Sequence, residues 1–132
     1  MKRIAVLLWL VLAGVVAAQQ VPDDSRFTGK TVVMEGKDLS AARRRFEPGA
    51  RTAWHSHDKG QLLLVEEGRM RTQKKGGAVR ELGVGDSEYA GPNVVHWHGA
   101  AAAQPLVQIN VGFGGETKWM DKVTDAEYNA KR

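Results

Sequence analysis

The sequence predicts an all-β, single-domain barrel with a short helical tail at its C-terminus. Three observations carry this reading. From residue 31 onward, short β-like runs alternate with Gly, Pro and Asp punctuation, the rhythm of a barrel or sandwich. Residues 61–67 are strongly apolar through Leu62, Leu63, Leu64 and Val65, as a central strand requires. Two histidine pairs, His55/His57 and His96/His98, stand two residues apart, the spacing that sets both side chains on one face of a strand. With 132 residues the chain makes one domain and not comfortably two.

The elements follow in order. Met1-Lys2-Arg3 leads into an apolar run over residues 4–18. Two cations, an apolar stretch and small residues at Val16 and Ala18 read as a signal peptide cleaved after Ala18. The run is short for a membrane span of about 20 residues, so no membrane association is expected after cleavage. Residues 19–25 are polar, contain Pro22 and read as a flexible leader. The barrel is expected over residues 26–115. Its strands are read at residues 31–34, 41–46, 61–67, 69–74, 78–82, 87–89 and 106–111. The breaks fall at Glu47-Pro48-Gly49, Glu67-Gly68, Lys75-Gly76-Gly77, Gly83-Val84-Gly85-Asp86 and Gly91-Pro92-Asn93. Residues 116–132 form the tail. Thr124-Asp125-Ala126-Glu127 is a capping-box sequence that opens a short helix, and Trp119, Met120 and Val123 are expected to pack the tail on the barrel.

The formal charge of +4 falls by the two of Lys2 and Arg3 on cleavage. The remaining cations, at Arg43-Arg44-Arg45, Arg69, Arg71 and Lys74-Lys75, are interspersed with Glu47, Glu66, Glu67 and Glu81. Nucleic-acid binding needs a larger one-signed surface and is excluded as a reading. The chain has no cysteine, so neither a disulfide nor thiolate metal chemistry is available. Export to a bacterial periplasm is expected. A small fold without disulfides gains from pairing edge strands, so a homodimer is expected, with residues 26–34 as the donor.

The chemistry converges in the barrel, whose interior holds one small ligand. His55 and His57 share a face, and Gln61 is a third possible ligand arriving from the next strand. A histidine of the His96-Trp97-His98 cluster closes the site. Imidazole suits Mn, Fe, Co, Ni, Cu or Zn. His98 shares the parity of His96 but lies in a looped region, and is expected beside the metal or in solvent rather than on the ion. Trp54 and Trp97 point to the opposite face by alternation. Phe46 faces the core, which turns Arg44 inward. There Arg44 meets an internal carboxylate or, at the mouth, an anionic substrate; on a bulged or flat strand it is exposed instead.

The wider pattern resembles the cupin family, a double-stranded β-helix or jelly-roll barrel. Gly49, His55, His57 and Gly68 fall in register with its first motif, and Gln61 stands where that motif has Glu. Gly85 and His96 fit the second motif, its Pro-x-Gly displaced to Gly91-Pro92-Asn93 and its last Asn replaced by Ala100. Within the family, the segments around His55-Ser56-His57 and His96-Trp97-His98 look most like the small manganese-dependent hydroxynitrile lyases. That resemblance implies one divalent metal, manganese, on His55, His57, Gln61 and His96, and cyanohydrin cleavage or formation beside it. Fe, Ni, Zn or Cu would also suit the ligands. It also implies a histidine base on the last strand, where this chain has Gln108. Gln108 can hydrogen-bond but takes no proton at neutral pH, so His98, Gln108 and Arg44 are the candidate catalytic groups. Two other classes compete: a metal-dependent cupin dioxygenase, and a non-catalytic periplasmic module that binds a metal or small molecule.

Overall fold

The computed structural model describes Phe27, Thr28 and residues 30–130. The expected signal peptide and leader therefore lie outside the described residues. The chain divides into two units, Met1–Glu35 and Gly36–Arg132. In the first, the described residues carry no strand or helix, and Val32, Val33 and Met34 are exposed. The strand expected at residues 31–34 is thus absent. Apolar, β-branched residues favour a strand only where a neighbouring backbone completes the ladder.

The described residues of the second unit form nine strands and one helix: β1 Ser40–Phe46, β2 Ala53–His57, β3 Gln61–Gly68, β4 Met70–Lys74, β5 Arg80–Leu82, β6 Ser87–Ala90, β7 His96–Ala100, β8 Leu106–Gly112, β9 Thr117–Lys122 and α1 Asp125–Tyr128. They form two antiparallel sheets, β1-β8-β3-β6 and β5-β4-β7-β2-β9. The order is that of a two-sheet barrel in which sequential strands often lie in different sheets.

Alternation along each strand divides the interior into an apolar part and a polar part. On β8 the inward residues are Leu106, Gln108 and Asn110; on β7 they are His96, His98 and Ala100. Register aligns like with like. Leu106 pairs with Phe46 and Gly68, and Ala100 with Met70. These residues join Leu63, Val65 and Leu82 in one core. Towards the other end, His55 pairs with His96 and Arg44 with Gln108. The apolar end fixes the barrel and the polar end is left to chemistry.

A second core lies on the outer face of the five-stranded sheet. Trp54, Trp97, Val79, Val123 and Tyr128 form it. Trp97 is fully buried and its Nε1–H donates to Gln73 Oε1 at 3.0 Å. Both tryptophans thus point away from the histidines, as alternation requires. The helix is set by a complete capping box: Thr124 Oγ1 accepts from Glu127 N, and the Glu127 carboxylate accepts from Thr124 N.

Two glycines are fixed by space. Gly68 has φ +76°, and a Cβ there would run into the Pro105 carbonyl; at Gly99 it would meet the backbone of Ala50 and Arg51. The tail differs from expectation, because residues 117–122 add β9 to the sheet beside β2. All six are exposed, so an edge strand with no buried face leaves no alternation to read.

Candidate metal centre

β2 and β7 lie side by side with His55 opposite His96. Each strand carries its second histidine two residues on, so all four rings enter the barrel. Ring centroids are 4.3 Å apart for His55 and His96, 5.0 Å for His55 and His57, and 5.3 Å for His55 and His98. The His57–His96 and His96–His98 separations are 5.6 and 5.8 Å. Donor nitrogens of His55, His96 and His98 all lie within 4.8 Å of one another. Gln61 arrives from β3 in the facing sheet, and its Oε1 stands 3.2 Å from His96 Nε2. The same amide also faces His55 and His57.

The hydrogen bonds fix which nitrogen of each ring is free. His55 Nδ1 donates to Ala53 O at 2.9 Å and His96 Nδ1 to Val94 O at 3.1 Å. His98 Nδ1 donates to Gln108 Oε1 at 3.1 Å. A neutral imidazole has one N–H and one lone pair, so Nε2 of each of these rings presents its lone pair. His57 Nδ1 contacts Thr117 Oγ1 at 3.0 Å, while its Nε2 is buried with no hydrogen-bond partner. Burial lowers all four proton affinities first, and the neighbouring histidines lower those of His55, His96 and His98 further. His96 falls to about 4 and His98 well below the ordinary value. At neutral pH the cluster is uncharged. The His96 Nε2 lone pair then faces the Gln61 carbonyl oxygen, two acceptors that repel unless a cation lies between them. Three buried imidazole nitrogens within 4.8 Å of one another, with the Gln61 oxygen beside them, are what a divalent transition metal needs. The residues fit such an ion.

A cavity of about 500 Å³ opens onto this cluster, lined among others by Arg44, Phe46, His55, Gln108, Asn110 and Trp119. Residues 42–112 match the family model of the cupin domain. The chain is a cupin. It is 38% identical over 112 residues to an (R)-mandelonitrile lyase of Granulicella tundricola, covering 83% of this chain and 76% of that one. It is also similar to a cupin-like protein of Thermotoga maritima, with a TM-score of 0.68 and 42% identity over 71% of this chain and 74% of the other. A conserved Klebsiella pneumoniae protein with a double-stranded β-helix domain superposes with a TM-score of 0.58 at 22% identity, over 79% of this chain and 99% of that one; this likeness speaks to the fold.

In this cupin, of the residues expected on the ion, His55 and His96 share the converging donor cluster with His98, Gln61 Oε1 reaches His96, and the His57 ring stands beside that of His55 but outside the 4.8 Å cluster. His98 differs from expectation. It lies on β7 rather than in a loop, is 4% exposed and turns into the cluster. Its inward direction follows from strand parity with His96. Gln108 is fully buried against it. Arg44 lines the cavity but remains exposed. An internal carboxylate does exist: Glu88, 4% exposed, receives Lys74 Nζ at 2.9 Å and Arg80 Nη1 at 2.6 Å. It therefore pairs with those cations and not with Arg44.

Three lining residues were not legible as such. Trp119 is 63% exposed, its ring 4.7 Å from that of His55, so it does not anchor the tail; Val123 does. Thr117 holds His57, and Asn110 lines the wall. Trp119 and Thr117 depend on β9 pairing with β2, which no local signal announces. Asn110 could have been found by extending the alternation from Leu106 through Gln108.

Proposed function

We propose that this cupin is a hydroxynitrile lyase that cleaves and forms cyanohydrins of the mandelonitrile type, with one manganese ion on His55, His57, Gln61 and His96. The observation that carries the reading is the inward, hydrogen-bonded His98 beside that ligand set, in a chain 38% identical to an (R)-mandelonitrile lyase. The bound divalent ion would supply Lewis acidity towards the hydroxyl or nitrile.

The chain's own residues supply the rest. Gln108 Oε1 accepts a hydrogen bond from His98 Nδ1–H and so leaves the Nε2 lone pair of that cavity-lining ring free. His98 Nε2 accepts the cyanohydrin hydroxyl proton. The electron pair of that O–H bond becomes the carbonyl π bond, the carbon–carbon bond to the nitrile breaks, and cyanide leaves with its electron pair. His98 then returns the proton to cyanide, giving aldehyde and hydrogen cyanide and restoring the neutral ring. Phe46 and Trp119, on the cavity wall, give an aryl group apolar surface to lie against.

The test is metal content of the purified protein together with aldehyde release from (R)-mandelonitrile. A manganese-loaded protein that releases benzaldehyde supports the reading. Oxygen uptake on a diketone with no cyanohydrin cleavage would move it to the dioxygenase class. Export and a homodimer belong to the same proposal, supported by the signal-peptide pattern at residues 1–18 and the absence of cysteine. N-terminal sequencing and solution mass test them.

A further inference from the structure

We infer that the cavity takes a substrate carrying a carboxylate, held between the Arg44 guanidinium and the side-chain amide of Gln108. This rests on the lyase reading only for the reaction at the other end of the molecule. Three consecutive arginines on β1 meet different fates. Arg43 pairs with Glu66 through two hydrogen bonds of 2.6 and 2.8 Å, and Arg45 with Glu47 at 2.8 Å. Both stand on the outer face. Arg44 takes the opposite face by alternation, lines the cavity and has no ion pair among the described residues.

Arg44 lies opposite Gln108 in the β1–β8 register, where side chains of a pair stand about 4.5–5.5 Å apart at Cβ. Gln108 is fully buried. Its Oε1 is occupied by His98, and its Nε2 is a buried donor with no partner. A buried unpartnered N–H costs free energy unless a ligand completes it. Two residues along β8, Asn110 Oδ1 is a buried acceptor with no partner, also on the cavity wall. One wall therefore offers a full positive charge, a neutral donor and an acceptor. A carboxylate satisfies the first two with its two oxygens. A hydroxyl on the same molecule can donate to Asn110. The buried carboxylate of Glu88 is already bound by two cations, and among the described residues no carboxylate forms an ion pair with Arg44.

The experiment uses the metal-loaded full chain and two readouts. Titration calorimetry compares benzoate with benzamide, for the parent, Arg44→Val and Arg44→Lys. Benzoate is expected to bind more tightly than benzamide. Arg44→Val should lower benzoate affinity about tenfold, in the range of a charge-assisted hydrogen bond, and leave benzamide unchanged; Arg44→Lys should recover part of the loss. Steady-state rates then compare mandelonitrile with the cyanohydrin of 4-carboxybenzaldehyde. Arg44→Val should raise KM for the carboxylated substrate about tenfold more than it changes KM for mandelonitrile. Equal benzoate affinity in the parent and Arg44→Val overturns the inference, whatever the rates. If neither cyanohydrin is cleaved while benzoate binding depends on Arg44, the lyase reading falls and the carboxylate site stands.

Discussion

His98 and Gln108 form a buried hydrogen-bonded pair, Nδ1 to Oε1 at 3.1 Å, with one partner on each sheet. Gln108 thereby fixes which nitrogen of His98 carries the proton. Towards the reacting end of the substrate it acts as a positioning residue: it moves no proton and is not among the four residues proposed to hold the metal. Gln108→Leu should keep the metal and lower kcat by about 10–100-fold, the usual effect of removing such a partner. Gln108→Glu should keep His98 oriented and recover part of the rate. Metal analysis beside single-substrate kinetics checks both. Equal loss in the two variants would contradict a positioning role.

The ligand set makes its own prediction. His55→Ala and His96→Ala should each lose most of the bound metal, because each removes one direct bond to the ion and opens a ligand position. Gln61→Glu should retain it, since a carboxylate keeps the oxygen and adds charge. Elemental analysis after gel filtration reads the outcome. Full metal in both alanine variants would refute the assignment.

Acid should destabilise the metal-free protein. The four histidines are held neutral by burial, His96 down to about 4 against an ordinary 6.5. Between those values the unfolded chain binds more protons than the folded one. Stability is therefore full above about pH 6.5 and falls as pH drops towards 4. Thermal melts of chelator-treated protein across that range should show a steadily falling Tm. A flat profile would mean that the rings are not buried as neutral groups.

Much of this could be read from the chain. The central strand at residues 61–67, the turns at Gly68 and Lys75-Gly76-Gly77, and the capping box at Thr124 are local signals, and they survive folding. His55, His57 and His96 were legible because strand parity and motif spacing both act over a few residues. What escaped depends on long-range pairing. β9 has no buried face, so its sequence has no period, and Trp119 and Thr117 enter the site only through that pairing. Arg44 stayed open because alternation gives the direction of a side chain and not its exposure. His98 was obscured by the Gly91-Pro92-Asn93 break, which ends in a tight turn before β7 rather than a long loop.

The two tryptophan environments should separate in stability. Trp97→Ala removes a fully buried ring and its hydrogen bond to Gln73, and should cost about 3–5 kcal/mol. Trp119→Ala removes an exposed ring and should cost well under about 1 kcal/mol, while altering substrate KM. Urea unfolding of both variants provides the comparison, and equal losses would place Trp119 in the core.

In the proposed reaction His98 moves the proton while four other residues hold the metal. The direct measurement is metal content and the initial rate of (R)-mandelonitrile cleavage for the parent and His98→Ala, each loaded with manganese. Stoichiometric metal is expected in both, with a rate lower by about a hundredfold or more in the variant. A variant that loses its metal would make His98 a ligand, and a variant as fast as the parent would remove it from the reaction; either result rules out His98 as the base beside the metal.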